Sequence, residues 1–285
     1  MSLIITGAGG HLGRRAAELL LEQADASDVV LLTRRPDALS DFAARGADVR
    51  RADFADPAGL GAAFAGATRV LLISTDVVGE RVDGHRAAID AAVAAGASHI
   101  AYTSIPNTEP SNPAAVVPDH AATEQLLRDS GVAWTFLRNA LYSEYRIPEF
   151  QGAAASGTFA YNSGDGASAY VSREDCAAAA VAVLLGGDEH AGKAYDITGA
   201  EAFTGAQLAE LYASVSGKPV AAAPVDDATF VAGLESHGIP AGAAQLIASF
   251  GIAIREDQLD QLSTAIQDLT GRAPIALREV LAAAA

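Results

Sequence analysis

The chain has 285 residues, half of them hydrophobic, with a single cysteine and a formal net charge of −16. That length suits a larger domain followed by a smaller lobe. Its 19 basic residues against 35 acidic ones, with no basic run, argue against a nucleic-acid or anionic-membrane partner, which needs clustered Lys and Arg.

The chain opens on Leu3-Ile4-Ile5-Thr6, an apolar run that stops at glycines as a first β-strand does. It lacks the basic start and cleavage site of a secretion signal. No segment approaches the ~18 apolar residues of a membrane span. Cys176 has no partner for an intrachain disulfide and is expected to be a small buried hydrophobe on a helix. A cytoplasmic location is the expectation.

Strands are predicted over 3–6, 28–33, 47–50, 69–74, 98–103 and 132–137, with helices between them over 11–23, 36–45, 57–65, 79–95 and 118–130. Short buried strands alternating with helices predict right-handed βαβ units and an α/β, Rossmann-type, doubly wound parallel sheet. Val70-Leu71-Leu72-Ile73 is unbroken apolar, as a strand covered on both faces is. Pro36 and Pro57 mark first helical turns, Asp56 reads as an N-cap, and Gly46, Gly96 and Gly131 fall where helices end. Beyond about residue 140 the rhythm changes. Gly152 to Gly166 carries few regular signals. Strands are predicted at 158–161, 168–172 and 194–198, and helices at 173–186, 204–216, 226–236, 240–250 and 257–269. The expected organisation is a doubly wound domain over 1–140 and a smaller α/β lobe over 141–285, with exchange of elements between them allowed.

Thr6-Gly7-Ala8-Gly9-Gly10-His11-Leu12-Gly13 joins the first strand to the first helix, with Gly7, Gly10 and Gly13 three apart. A pyrophosphate site needs a tight turn, a backbone without Cβ atoms and a helix packed closely on the strand. The helix N-terminus then offers free N–H groups and the positive end of its dipole. A purely structural turn is the alternative. After the second strand, where NAD-preferring sites carry an acid, stand Arg34 and Arg35. A guanidinium there suits the 2′-phosphate of NADP, so NADPH is expected over NADH. Asp53 and Phe54 follow the third strand, where they would flank the adenine or simply form a turn. Ser74, Thr75 and Asp76 end the fourth strand, at the edge where ligands lie.

These stretches, with Ala52-Asp53-Phe54, His99-Ile100-Ala101-Tyr102-Thr103-Ser104 and Arg138-Asn139-Ala140-Leu141-Tyr142-Ser143, resemble the NmrA-like, atypical branch of the short-chain dehydrogenase/reductase superfamily, in particular its quinone- and triphenylmethane-reducing members. The resemblance runs along nearly the whole chain. It implies that Gly7 to Leu12, Arg34, Ser74 to Asp76 and Arg138 to Ser143 line the cofactor site, and that Tyr170 contacts substrate. Asn139 is expected at the nicotinamide end, Thr103 at the same strand edge, and Tyr142 on the substrate wall, or in the core. The ordinary superfamily members use Tyr-x-x-x-Lys on the helix after the fifth strand; helix 118–130 has neither residue. It carries His120 and Glu124, four apart and so on one face. Either His120 donates a proton, with Glu124 orienting it, or the two form a solvent-facing pair. Ser104 is a candidate donor to a substrate carbonyl, or a plain strand-end residue.

The function expected is an NADPH-dependent reductase of a quinone or similar conjugated aromatic acceptor, with no metal or flavin. Two others stay open: an NADP-binding redox sensor without turnover, and a tailoring oxidoreductase of one polycyclic aromatic metabolite. The partner is a small molecule, and a homodimer is allowed.

Overall fold

A computed structural model describes residues 1–285. The first half runs β1 (Ser2–Ile5), α1 (His11–Leu20), β2 (Val29–Thr33), α2 (Ser40–Ala44), β3 (Asp48–Arg51), α3 (Pro57–Ala63), β4 (Ala67–Leu72), α4 (Arg81–Ala94), β5 (His99–Ser104), α5 (Val117–Asp129) and β6 (Ala133–Asn139). The second half runs β7 (Leu141–Tyr142), α6 (Arg146–Ser156), β8 (Thr158–Tyr161), β9 (Ala167–Val171), α7 (Arg173–Gly186), β10 (Lys193–Ile197), β11 (Ala202–Thr204), α8 (Gly205–Ser216), β12 (Ala221–Pro224), α9 (Asp227–Ser236), α10 (Ala241–Arg255), α11 (Ala265–Thr270) and α12 (Leu277–Ala282).

Seven strands form one parallel sheet in the order β3-β2-β1-β4-β5-β6-β10. The order reverses between β1 and β4. Loops leaving those two strands turn to opposite faces and open a crevice at their carboxyl ends. Helices cover both faces, which is why β2 and β5 are buried at every residue. On one face Ala16, Ala17 and Leu20 of α1 pack with Ala177, Ala180 and Leu184 of α7. The small alanines let these helices lie close. On the other face Ile89 of α4 and Leu127 of α5 pack against Tyr102 and Phe136.

The break near residue 140 divides the chain but not the space. Strand β10 pairs with β6 from Lys193↔Thr135 to Ile197↔Asn139, and α7 lies on α1. Residues 173–197 therefore return to the first body. The remainder builds a lobe on two small sheets, β11-β9-β7 and β12-β8. Phe150, Phe159, Tyr170 and Tyr212 form its core. A further cluster joins Ala253 and Ile254 of α10 to Ile105 and Val117 of the main body.

Two expectations fail locally. The predicted helix over 257–269 is irregular until α11, because Asp257 takes a left-handed φ of 56° directly after α10 and Ser263 donates its hydroxyl to the Asp196 carbonyl. Gly152 to Gly166, expected irregular, begins inside α6. Ala153 to Ala155 are strong helix formers, and the helix ends at Gly157 with a left-handed φ of 76°.

Candidate functional site

The opening turn is built as phosphate binding requires. Gly7 reverses the chain at φ 61°, and the Gly10 N–H donates to its carbonyl at 2.9 Å. A Cβ on Gly13 would strike that same carbonyl and come within 2.9 Å of the Ala8 Cα; one on Gly9 would come within 2.9 Å of Thr33 Oγ1. Helix α1 starts with no side-chain cap and no acidic residue in its first turn. The amides of His11, Leu12 and Gly13 therefore offer their N–H groups to a ligand. The side chain of Leu12 points into the core, so its contribution is through the backbone.

In front of this turn lies a cleft of about 770 Å³. Gly7, Gly9, Gly10, Arg34, Asp53, Phe54, Ser74, Thr75 and Asp76 all line it, as the sequence led one to expect. Arg34 and Arg35 stand exposed on its rim, and neither meets a carboxylate at ion-pair distance. Asp53 Oδ1 accepts from the Ala55 N–H at 3.1 Å, so this residue does shape a turn while its second oxygen stays available. Phe54 is backed by Gly84, where a Cβ would approach it to 3.1 Å, and by the His85 ring edge-on at 6.3 Å. Glycine in α4 thus lets a helix press against the Cβ and backbone of Phe54.

Thr6 and Thr103 are buried and do not face the cleft; they shape it. Thr6 Oγ1 accepts from the Ile73 N–H and Thr103 Oγ1 from the Ser74 N–H, both at 2.9 Å. Together they pin the end of β4 to β1 and β5. Reasoning from sequence missed Arg81, which also lines the cleft. Arg81 Nε donates to Asp119 Oδ2 at 3.1 Å, and its terminal nitrogens donate to the carbonyls of Thr75 and Val116. The Gly79 N–H shares that same Asp119 oxygen. This buried pair clamps the loop after β4. His85 completes the clamp. Thr123 gives its proton to the Asp119 carbonyl, so His85 Nδ1–H donates to Thr123 and Nε2 accepts from the Thr75 N–H. Burial lowers the His85 pKa to about 4, and it is neutral.

Both readings of the His120–Glu124 pair need correction. The two do not face solvent: Glu124 is 0% and His120 is 6% exposed. Nor does Glu124 orient His120. Its carboxylate accepts from Ser104 Oγ at 2.8 Å, from Arg138 Nε and a terminal nitrogen at 3.0 and 2.8 Å, and from Arg128 at 2.9 Å. His120 Nδ1 instead meets the Tyr102 hydroxyl at 2.9 Å, and burial holds its pKa well below the ordinary value. Three consequences follow for the expected site. The Ser104 proton is committed to Glu124 and is not offered to a substrate carbonyl. The Arg138 guanidinium is an internal partner of Glu124 and does not line the cleft. His120 is a neutral, nearly enclosed imidazole that does not line it either.

At the carboxyl end of β6, Asn139 Nδ2 donates to the Tyr142 hydroxyl at 3.3 Å, while its buried Oδ1 has no partner. An orphaned amide oxygen at this edge fits a ligand carrying N–H groups, such as a carboxamide. Ala140 is a core residue whose N–H donates to the Ile197 carbonyl. Tyr142 stacks under Arg173, whose guanidinium lies 5.2 Å from its ring centre. Tyr170 is buried in the C-terminal lobe, away from the cleft, beneath Arg146. Cys176 is fully enclosed between α7 and the sheet, and burial pushes its thiol up.

The NAD(P)H-binding family model matches residues 7–186. The chain is 38% identical over 277 residues to quinone oxidoreductase 2 of Escherichia coli, spanning 97% of this chain and 96% of that protein. Its fold matches the crystal structure of the NADPH-dependent quinone oxidoreductase of Escherichia coli complexed with NADPH, with a TM-score of 0.94, 37% identity and 99% of each chain covered. The triphenylmethane reductase of Citrobacter sp., complexed with NADP(H), matches with a TM-score of 0.94, 32% identity and 100% of each chain covered. The glycine turn, the crevice at the strand-order reversal and these likenesses over the whole length have one meaning: the chain belongs to the NAD(P)H-binding family.

Proposed function

We propose that the chain is an NADPH-dependent reductase that passes a hydride to a quinone or another flat, conjugated aromatic acceptor. The observation that carries the cofactor half is the unpaired Arg34–Arg35 rim on a cleft floored by the glycine turn. The acceptor half rests on the likeness to the quinone and triphenylmethane reductases.

The residues fit the dinucleotide in order along the cleft and on to the carboxyl end of β6, where Asn139 stands beyond the cleft's own lining. Amides of the turn and the start of α1 hold the diphosphate, and Arg34 with Arg35 holds the 2′-phosphate. Phe54 covers the adenine and Asp53 accepts from its amino group. Ser74, Thr75 and Asp76 border the ribose, their backbone fixed by Thr6, Thr103 and Arg81. The free Asn139 oxygen receives the carboxamide of the nicotinamide. When bound, the reduced nicotinamide supplies a hydride. The protein's part is to hold donor and acceptor at near-attack distance and to exclude competing geometries. No side chain of α5 is free to donate a proton, so water supplies the one that a reduced quinone needs; a cationic acceptor needs none.

The test is NADPH oxidation, followed by absorbance, over a small panel of quinones and cationic dyes. Turnover with NADPH well above that with NADH is the expected result. Tight NADPH binding with no turnover on any acceptor refutes the reductase and leaves a sensor.

A further inference from the structure

We propose that Thr33 is a third contact to the 2′-phosphate of NADPH and helps to select that cofactor over NADH. The proposal rests on the cofactor reading above. It adds a neutral donor to the two guanidiniums of Arg34 and Arg35. In NAD-preferring sites an acid about 20 residues beyond the glycines takes the ribose 2′-hydroxyl. Thr33, the last residue of β2, stands at that distance and carries no charge to repel a phosphate.

Side chains alternate along a strand. Thr33 therefore shares its face with Leu31, which packs in the cluster of α1, and not with Leu32, which packs in the opposite one. It projects toward the glycine turn that opens α1. A Cβ on Gly9 would come within 2.9 Å of its Oγ1, so the bare glycine is what leaves this oxygen room. Thr33 and Gly9 both line the cleft, beside Arg34 and Arg35.

The hydroxyl is half used. Its oxygen accepts from the Arg35 N–H at 3.2 Å, a bond that fixes the turn presenting both guanidiniums at the rim. That is its one hydrogen bond, and its own proton goes to no acceptor of the chain. Thr33 is only 8% exposed, and a hydroxyl buried to that degree with an idle proton is costly unless something completes it. A threonine that merely forms a turn accounts for the accepted bond and not for the idle donor.

A phosphate oxygen accounts for both. It takes the proton, while the arginines that the same side chain positions supply the charge. A hydroxyl donating to a phosphate makes a charge-assisted bond, whereas the free 2′-hydroxyl of NADH offers a neutral and weaker one. Cofactor choice is then built from two guanidiniums and one hydroxyl, tied together by the Arg35 N–H.

The experiment titrates the full chain by calorimetry with adenosine 2′,5′-bisphosphate and with adenosine 5′-monophosphate, which lacks the 2′-phosphate. The ratio of the two affinities is the readout. Thr33→Val keeps the shape and removes the hydroxyl, and is expected to lower the ratio about five- to tenfold. Thr33→Ser, which keeps the hydroxyl, should hold it within about twofold of the wild type. Thr33→Val is also made in the double variant Arg34→Ala with Arg35→Ala. A direct contact loses a similar factor in that background. A threonine that acts only by presenting the arginines loses none there, and that result overturns the proposal. So does a Thr33→Val ratio within about twofold of the wild type in the intact background. If the wild type binds the two nucleotides equally well, it is the NADPH reading that falls.

Discussion

Removing Arg34 and Arg35 tests the cofactor reading at its most exposed point. Both guanidiniums stand on the cleft rim, and no carboxylate neutralises either one. Around them is a protein of net charge −16, which repels a polyanionic dinucleotide unless some positive charge is placed locally. Two unit charges 4 Å apart gain roughly 1 kcal/mol in bulk water and about 4 at an effective dielectric of 20. An exposed rim sits toward the lower figure, and a charge-assisted hydrogen bond contributes about 1.5–3 kcal/mol. Arg34→Ala should therefore weaken NADPH binding about tenfold, and the double alanine variant on the order of a hundredfold. NADH carries no 2′-phosphate, and its affinity should hardly move. Arg34→Asp goes further, because a carboxylate accepts from the free 2′-hydroxyl of NADH and repels the phosphate. Titrating both reduced dinucleotides by their own fluorescence, at low and high salt, reads these quantities. The wild-type preference should narrow as salt rises, since exposed pairs are screened. An NADPH-to-NADH ratio left unchanged in the double variant would refute the reasoning.

Other outcomes follow from the same geometry. Gly13→Ala forces a Cβ into the Gly7 carbonyl, so dinucleotide affinity should be lost and stability in urea melts should fall by the amount expected of overpacking, about 1–3 kcal/mol. Burial holds His85 and His99 at a pKa of about 4, below the unfolded value of about 6.5, so the folded state binds fewer protons between those limits. Stability should be full above about pH 6.5 and decline as the pH falls toward 4, by up to about 3 kcal/mol per histidine. Urea melts of wild type and His99→Gln should diverge least at low pH, and parallel curves would count against this account. His120→Gln should keep turnover within a few-fold; a drop of two orders of magnitude would restore His120 as a proton donor. Glu124→Leu strands Arg138 and Arg128 and should cost about 3–5 kcal/mol in urea melts, a loss partly recovered by adding Arg138→Leu.

The sheet was legible because its signal is local and repeated. Strands β1, β2 and β4 are short apolar runs, and the turn at Gly7 to Gly13 sits directly between a strand and a helix. The cleft followed from that turn, since residues at the ends of β2 and β4 must converge on it in a doubly wound sheet. What escaped was pairing at a distance. Nothing in the spacing of His120 and Glu124 tells that Arg138, on a strand beyond the helix, reaches Glu124 first. Ser104 and Arg138 have the residue types of a binding site and are consumed as partners of one buried acid. Likewise the return of β10 to the main sheet depends on α7 packing against α1, a match of small residues that no single segment displays. Arg81 was overlooked because an arginine opening a helix reads as a solvated charge until Asp119 is seen beside it.

Helix α5 connects the chemistry absent from the sequence to the class of acceptor. Where ordinary members of the superfamily keep a tyrosine and a lysine, this helix places Asp119, His120, Thr123 and Glu124, all buried. Asp119 is held by Arg81, Thr123 is spent between His85 and a carbonyl, His120 is neutral against Tyr102, and Glu124 is filled by Ser104, Arg128 and Arg138. Every polar group on the inward face thus serves to fix the ends of β4, β5 and β6, and none stands ready to give up a proton. A ketone reduced to an alkoxide needs such a donor in its transition state. A quinone does not, because the hydride leaves a delocalised hydroquinone anion that takes its proton later from water; a delocalised cation needs no proton at all, because the hydride itself neutralises it. A rigid helix with no free acid is a handicap for the first reaction and no cost to the second, and the proposed substrate class follows from that asymmetry.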